Sequence, residues 1–309
     1  MPKSLSRLEQ TWPVYILCGP TGVGKSQLGV QIADKYKGEV VSADSRQIYA
    51  GMYIGTAKLP SAERRVRHNL LDVVQPDELF SAQGFCQKAT MVLNDLKAKR
   101  IKPFVVGGTG LYLKALTEGL FPGTGRVADL RKNWGKKPVS ELYAELVKID
   151  PEKAARLSKN DRQRIERALE VFYAHGKPMS ELEKKRSSPV GFKFLWAGLN
   201  LERKELYCRI EDRVEKQLAD GWVEEVRRLK KTGFGPAWPA FKTIGYQEVY
   251  RHLSGELGYS EMVQLIKQKT RNYAKRQLTW FRHQAPLSWF NAADPKVQEK
   301  IEKYWELNQ

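Results

Sequence analysis

The fold of this chain is decided by one stretch, Gly19-Pro20-Thr21-Gly22-Val23-Gly24-Lys25-Ser26. It matches the pattern G-x-x-x-x-G-K-S, in which glycines let the backbone curl so that several N–H groups point at one anion. The apolar run Val14–Cys18 before it predicts a buried strand, and the apolar spacing from Leu28 to Ala33 after it predicts a helix. A strand, a glycine loop and a helix in this order predict a phosphate-binding loop.

The chemistry of this loop suits an anion that carries phosphates. The helix after it adds the positive end of its dipole. Lys25 brings a full positive charge, and the Ser26 hydroxyl can ligate Mg²⁺, so we expect Mg²⁺ as a cofactor. The alternative is a Gly-rich turn with a solvated lysine, which nothing in the flanking sequence favours. The pattern does not specify whose phosphates are bound.

Asp44 is the first candidate for chemistry beside the loop. It comes after the predicted strand at Val40 and Val41, and ligands of parallel α/β sheets bind at the carboxyl ends of the strands. We therefore expect its carboxylate to point at whatever the glycine loop holds. The alternative is that Asp44 only caps the next helix. Further along, Leu70–Val74 also has the composition of a strand.

The residues at the carboxyl end of the buried strand Phe104–Val106 are informative for the acid that they lack. A P-loop protein that hydrolyses ATP usually ends such a strand in an acidic residue that helps to hold Mg²⁺. Here the place is taken by Gly107, Gly108 and Thr109. The sequence therefore predicts a loop that binds a diphosphate without ordinary NTP hydrolysis.

Composition points to a polyanionic partner. The 309 residues include 53 Lys and Arg against 35 Asp and Glu, a net charge of +18. Such a field attracts nucleic acid, although a basic surface that serves solubility is the alternative. No apolar run is long enough to cross a membrane, and Met1–Thr11 lacks a signal-peptide core. The three scattered cysteines argue against disulfides and zinc, so we expect a cytoplasmic protein.

The composition changes near residue 119, where glycine, proline and basic residues precede a helical pattern. We predict an all-helical subdomain at 120–190, inserted into a core made of 1–119 and 191–309. Gln163 and Arg167 share one helix face. A solvated charged face is the alternative explanation.

Two later helices carry basic residues at regular spacing. Arg209 and Arg213 lie four apart and could grip a phosphate, or pair with carboxylates on the surface. A long helix from about Ser260 to His283 carries the row Lys267, Arg271 and Lys275, joined by Lys269 and Arg276. Trp280 and Phe281 close this helix. They could stack on RNA bases or belong to the core.

Taken in order, these motifs resemble the bacterial tRNA dimethylallyltransferases, also called isopentenyl-diphosphate:tRNA transferases. The resemblance runs nearly end to end and rests on the glycine loop together with Asp44–Tyr49, Gly51–Lys58, Gly107–Tyr112, Asp161–Val171, Arg209–Arg213, Ile244–Tyr246 and Ala274–Trp280. It implies an α/β fold with a P-loop NTPase-like parallel sheet flanked by helices. It also implies transfer of the dimethylallyl group of dimethylallyl diphosphate to N6 of the adenosine 3′ of the anticodon (position 37) in tRNA.

The same resemblance implies site roles. Asp44 matches the proposed base, and Lys25 and Arg213 match the groups that neutralise the departing diphosphate. The diphosphate would lie on Gly19, Pro20, Thr21, Gly22, Val23, Gly24, Lys25 and Ser26. The positions that match contacts to the tRNA anticodon stem-loop are Asp44, Ser45, Arg46, Gln47, Thr109, Arg131, Gln163, Arg164, Ile165, Glu166, Arg167, Lys242, Thr243, Ile244, Gly245, Tyr246 and Gln247. The basic helix adds Lys275.

The chain departs from the family between Arg131 and Asp150, which is a few residues shorter than usual. The rival hypotheses are a P-loop kinase or an isopentenyltransferase that acts on a free adenine nucleotide, and a non-catalytic RNA-binding module. The basic insertion and C-terminal helix disfavour free-nucleotide chemistry, and Asp44 beside Lys25 disfavours a role in binding alone. We expect a monomer.

Overall fold

A computed structural model describes residues 11–120, 128–135, 137–184 and 191–309. Expectations that concern Met1–Gln10 lie outside the described residues. Within the described residues, six parallel strands form one sheet in the order β3-β2-β4-β1-β5-β6. The strands are β1 Trp12–Cys18, β2 Glu39–Ser42, β3 His68–Asn69, β4 Pro103–Gly107, β5 Phe192–Asn200 and β6 Ser288–Asn291.

Helices fill the connections between the strands of this sheet. Their bounds are α1 Lys25–Lys35, α2 Ala82–Ala98, α3 Gly110–Glu118, α4 Ala128–Trp134, α5 Val139–Ile149, α6 Pro151–Ala155, α7 Arg162–His175, α8 Met179–Lys184, α9 Arg203–Ala219, α10 Trp222–Lys231, α11 Tyr246–Leu253, α12 Tyr259–Gln284 and α13 Val297–Leu307. The predicted fold class is confirmed.

Both faces of the sheet are buried, which explains why its strands read as continuous apolar runs. Along β1, Tyr15 and Leu17 join a cluster with α1, α9 and α13. Val14 and Ile16 point the other way and join a cluster with α2, α3 and Phe281 of α12. Every parallel strand therefore ends at the same edge, where the loops after β1, β2 and β4 meet.

The prediction of a strand at Leu70–Val74 is wrong. The strand is β3, two residues earlier, and only Val74 of the predicted run forms an isolated bridge, to Tyr49. Leu70 and Asp72 adopt positive φ angles of 64° and 54°, which cannot continue a strand. The chain turns here because Asp72 Oδ1 forms an ion pair of 2.5 Å with Lys58 Nζ.

Contacts divide the chain into two compact units, 1–116 with 190–309, and 117–189. The smaller unit has its own core of Trp134, Leu142, Leu146, Ile165 and Leu169. Its α7 begins at Asp161, whose side chain caps the Arg164 N–H, and ends at Gly176 with φ 66°. α8 continues the helical order to Lys184.

Candidate active site

The glycine loop lies between β1 and α1 and has the conformation that its sequence requires. Gly22 and Gly24 adopt φ angles of 85° and 96°, which favour glycine, and Gly24 is the residue before α1. A Cβ at Gly22 would lie 2.7 Å from Ile210 of α9, so a side chain is excluded there as well. Lys25 Nζ donates to the carbonyl of Pro20 at 3.0 Å.

The electrostatics of Lys25 are those of a site that binds an anion. Burial lowers the pKa of the ammonium to about 8, Asp44 opposes this shift, and the positive Arg213 adds to it. An anion placed between these two cations would reverse the shift. The site therefore holds excess positive potential when it is empty of negative charge.

Arg213 reaches the glycine loop from α9. Its Nη2 donates to Thr21 Oγ1 at 2.8 Å. Its Nε is buried and has no hydrogen-bond partner among the described residues. Arg209 does not share this role, because it pairs with Glu205 at 2.7 Å on the surface. Arg209 therefore follows the alternative of a surface pair with a carboxylate, whereas the phosphate grip stays a prediction for Arg213.

Asp44 lies just after β2, at the edge of the sheet where the glycine loop also lies. Its Oδ1 accepts the N–H groups of Arg46 at 2.8 Å and Gln47 at 3.4 Å, so it caps a turn rather than a helix. The residue also lines the same cavity as Thr21 and Arg213. The carboxylate is therefore held in place by its own backbone at the edge of the cavity.

The cavity has a volume of about 220 Å³ and combines polar and aromatic walls. Trp222, Thr243 and Arg213 line the cavity, and each carries a buried polar atom without a hydrogen-bond partner among the described residues: Nε1, Oγ1 and Nε. Buried polar atoms are normally paired, so the surroundings of this cavity leave hydrogen-bonding capacity unused. The lining residues are Thr21, Asp44, Arg46, Gly55, Thr56, Ala57, Arg213, Gln217, Trp222, Lys242, Thr243, Ile244, Thr270, Tyr273 and Arg276.

Close packing at the carboxyl end of β4 explains why glycines, rather than an acidic residue, stand there. A Cβ at Gly107 would lie 2.2 Å from the carbonyl oxygen of Ala43, and one at Gly110 would lie 2.2 Å from the Trp280 ring. Thr109 Oγ1 accepts the Ser45 N–H at 2.9 Å, which ties this loop to the segment that carries Asp44. Close packing therefore requires the glycines.

Sequence reasoning missed the inward face of α12. Thr270, Tyr273 and Gln277 succeed one another at spacings of three and four, which places them on one helix face. Thr270 and Tyr273 line the cavity, and burial raises the pKa of the Tyr273 phenol to about 12. Gln277 bonds to the glycine loop. A polar stripe at this spacing was the available signal.

The outward face of α12 differs from the predicted basic row. Lys267 pairs with Glu215 at 2.5 Å, Lys269 pairs with Glu248 at 2.6 Å, and Arg271 pairs with Glu211. Lys275 is exposed and has no ion pair among the described residues.

The two aromatic residues near the end of α12 have different environments. Phe281 is fully buried in the core, so it cannot stack on a base. Trp280 is half-buried against Gly110.

Two predicted tRNA contacts on the larger unit have side chains that bond within the protein, and no contact in the structure tests them. Tyr246 is fully buried, and its hydroxyl donates to Glu225 at 2.5 Å. The Nε2 of Gln47 donates to the carbonyls of Thr56 and Ala57 at 3.2 and 3.3 Å. The remaining expected contacts on this unit, which no contact in the structure tests, stay predictions: Asp44, Ser45, Arg46, Thr109, Lys242, Thr243, Ile244, Gly245, Gln247 and Lys275.

On the smaller unit, Ile165 is fully buried in the core, and Glu166 is buried and pairs with Arg162 at 2.7 Å. No contact in the structure tests either position against tRNA, so both stay predictions. Arg131 is paired with Glu170 at 2.5 Å. Of the predicted positions on α7, Gln163 and Arg164 are exposed, and together with Arg131 and Arg167 they also stay predicted contacts.

The described residues hold no group of three His, Cys, Asp or Glu side chains that could bind a metal ion. Ser26 instead opens on a space of about 20 Å³ that Ser42 and Gln47 also line. No helix in the described part of the chain combines the length and apolar character that crossing a bilayer requires.

Comparison with known proteins gives one consistent result. The sequence model of the family described as IPP transferase matches residues 47–284. The tRNA dimethylallyltransferase 1 of Citrifermentans bemidjiense is 44% identical over 283 residues, covering 91% of this chain and 92% of that protein. The tRNA dimethylallyltransferase of Geobacter sulfurreducens is also 44% identical, covering 89% and 91%.

Solved structures agree with the sequence comparisons. The tRNA isopentenylpyrophosphate transferase of Bacillus halodurans is 35% identical with a TM-score of 0.71, over 96% of this chain and 95% of that one. A eukaryotic dimethylallyltransferase acting on tRNA is 28% identical with a TM-score of 0.81, over 96% and 78%. The match of the family model across most of the chain, together with these relatives, shows that the chain belongs to the IPP transferase family.

Proposed function

We propose that this protein transfers the dimethylallyl group of dimethylallyl diphosphate to N6 of the adenosine 3′ of the anticodon (position 37) in tRNA and releases diphosphate. The observation that carries the proposal is the cavity in which Asp44, Arg213 and Thr21 of the glycine loop meet. Relatives that cover about nine tenths of the chain are named tRNA dimethylallyltransferases. The site offers cations for a diphosphate and a carboxylate for an amine, which are the two needs of this reaction.

The cationic side of the cavity would hold the donor. The backbone N–H groups of the glycine loop and Lys25 surround the diphosphate, and Arg213 Nε supplies a donor that no described protein group uses. Charge on the diphosphate grows as the C1–O bond of the donor breaks. Donors already fixed in place stabilise that growing charge without reorganisation.

Asp44 would serve the acceptor. The N6 amine attacks C1 of the dimethylallyl group, the C1–O bond electrons leave with the diphosphate, and the N6 proton passes to the Asp44 carboxylate. The amine is a poor nucleophile because its lone pair is delocalised into the ring, so a base within hydrogen-bond reach accelerates the attack. The turn cap from Arg46 N–H fixes Oδ1 for this task.

Mg²⁺ fits this site through Ser26. Ser26 lines a small space with Ser42 and Gln47, and without a carboxylate cluster among the described residues the remaining ligands would be diphosphate oxygens and water. When bound, the ion neutralises part of the charge on the leaving diphosphate.

The net charge of +18 suits an RNA substrate. Lys242 and Arg276 line the cavity and Lys275 lies exposed one residue from Arg276, so the rim of the cavity is basic. A base must leave its stack to reach Asp44, and such a rim can hold the flanking phosphates. For this substrate we expect a cytoplasmic monomer.

Transfer of label tests the proposal directly. The protein is incubated with labelled dimethylallyl diphosphate, Mg²⁺ and unmodified tRNA, and with free AMP in a parallel reaction. We expect label in tRNA alone. Label in the free nucleotide but not in tRNA would favour a free-nucleotide transferase, and no label in either would refute the proposal.

The role of Asp44 has a matched pair of variants. Asp44→Ala removes both the base and the turn cap, whereas Asp44→Asn keeps a cap acceptor and removes the base. We expect both to lose transfer, by at least about 100-fold, and to retain tRNA affinity. Equal losses of tRNA binding and turnover would remove Asp44 from the chemistry.

A further inference from the structure

Gln277 joins two loops of the candidate site. Its side chain lies on α12, and the residue is only 7% exposed. Its Oε1 accepts the Thr21 N–H at 2.8 Å, and its Nε2 donates to the Gly108 carbonyl at 2.8 Å. One amide therefore bridges the glycine loop after β1 and the loop after β4.

On the side of β4, the side chains of α12 pack closely against the backbone. A Cβ at Gly108 would lie 2.4 Å from Gln277 Nε2, and one at Gly110 would lie 2.2 Å from the Trp280 ring. Both approaches require a glycine. α12 is thus seated against these loops at two positions one turn apart, so a displacement of the helix is transmitted to them.

On the side of β1, the bridge leads to the diphosphate arginine. Thr21, whose N–H is held by Gln277, accepts the Arg213 Nη2 donor through its own hydroxyl at 2.8 Å. The position of Thr21 therefore sets the direction of the guanidinium, and with it the direction of the buried Nε that lacks a partner among the described residues. The chain of contacts runs Gln277, Thr21, Arg213.

The same helix carries the basic residues at the rim. Lys275 and Arg276 are exposed beside Gln277, and Tyr273 lines the cavity. RNA bound at the rim would contact the same helix whose Gln277 accepts the Thr21 N–H. We propose that Gln277 is a positioning residue that couples RNA binding on α12 to the orientation of Arg213 for diphosphate. The coupling to RNA rests on the proposed function, whereas the effect on diphosphate does not.

Pyrophosphate with Mg²⁺ is the probe for the test, and its affinity is measured by calorimetry. Gln277→Met keeps the side-chain volume and removes both hydrogen bonds. We expect about tenfold weaker pyrophosphate binding, because Arg213 loses its fixed direction. Gln284→Met, an exposed amide on the same helix, should leave the affinity unchanged. Equal affinity in wild type and Gln277→Met would overturn the positioning role.

A second variant guards against a folding defect. A cycle with Thr21→Val, which removes the hydroxyl that Arg213 uses, tests the route. Gln277→Met should weaken binding little further in that background. Fully multiplicative losses would show that Gln277 acts by another path.

The RNA arm uses the tRNA anticodon stem-loop. For wild type we expect the stem-loop to tighten pyrophosphate binding severalfold, and for Gln277→Met we expect this factor to fall to about one. In steady state the KM for dimethylallyl diphosphate should rise, and because coupling is reciprocal, pyrophosphate should no longer tighten stem-loop binding in Gln277→Met. An unchanged coupling factor in Gln277→Met would refute the link to RNA. If wild type binds pyrophosphate but transfers nothing, the proposed function fails and the first arm still decides the positioning role.

Discussion

Glu225 holds one wall of the cavity, and its replacement by glutamine is the most informative perturbation of the scaffold. The carboxylate is 3% exposed. Its Oε2 accepts the N–H groups of Tyr53 and Ile54, both at 2.8 Å, and its Oε1 accepts the Gly55 N–H at 3.3 Å and the Tyr246 hydroxyl at 2.5 Å. Glu225→Gln keeps the shape and replaces one oxygen by a donor.

The magnitude can be worked out from these four bonds. Two charge-assisted bonds that become neutral lose roughly 1 kcal/mol each. The new amide nitrogen faces the Gly55 N–H, and a buried donor without an acceptor costs about 1 kcal/mol more. The Tyr246 hydroxyl can turn and accept instead. Relief of the burial cost of the carboxylate offsets part of this sum, which leaves about 2 kcal/mol.

Thermal unfolding followed by circular dichroism measures the effect. For a unit of this size we expect the Tm of Glu225→Gln to fall by about 4–8 °C. Glu224→Gln is the matched control, because Glu224 is the adjacent residue on α10 and forms an exposed pair with Arg227 at 3.2 Å. It should leave the Tm within about 1 °C of wild type. Equal Tm values for the two variants would refute the assignment of Glu225 as the anchor of this wall.

Three further predictions concern the site and its packing. Because burial lowers the pKa of Lys25 to about 8, the ammonium is lost as the pH rises through that value, so pyrophosphate should bind progressively more weakly from pH 7 to pH 9, as calorimetry would show; a flat profile would contradict this. Gly110→Ala should destabilise the fold by about 1–3 kcal/mol in urea unfolding, whereas Gly84→Ala, a helical glycine with only ordinary contacts, should stabilise it by up to about 1 kcal/mol. Lys275→Ala should reduce the slope of log affinity for tRNA against log salt by about 0.7–0.9, and the paired Lys269 should show no such change when replaced by alanine; equal slopes would return Lys275 to the solvated surface.

Local pattern was enough to predict the sheet and the glycine loop. The run Val14–Cys18 is apolar throughout, and the glycines after it suit the positive φ angles of the loop, so both can be predicted from short stretches of sequence. The predicted strand at Leu70–Val74 failed because Lys58 draws Asp72 into a turn. β6 and α13 have no strong pattern of their own. β6 forms because it pairs with β5, and α13 forms because it packs on one face of the sheet.

The site was predictable where one residue type has one use, and less so where partners decide. Lys25 and Asp44 could be singled out as candidates from their positions in the sequence alone. Arg209 and Arg213 are the same residue type one turn apart, and only the place of Glu205 and Thr21 in three dimensions separates their roles. Gln277 was quoted within a motif, but its role depends on Thr21, 256 residues away.

The contact between Thr21 and Gln277 also has a consequence for synthesis of the chain on the ribosome. The glycine loop is synthesised before the helix that holds its N–H, because Gln277 follows Thr21 by 256 residues. Pairings between distant segments form slowly and only after both segments are available. A nascent chain that displays the glycine loop but not yet α12 therefore lacks the finished candidate site.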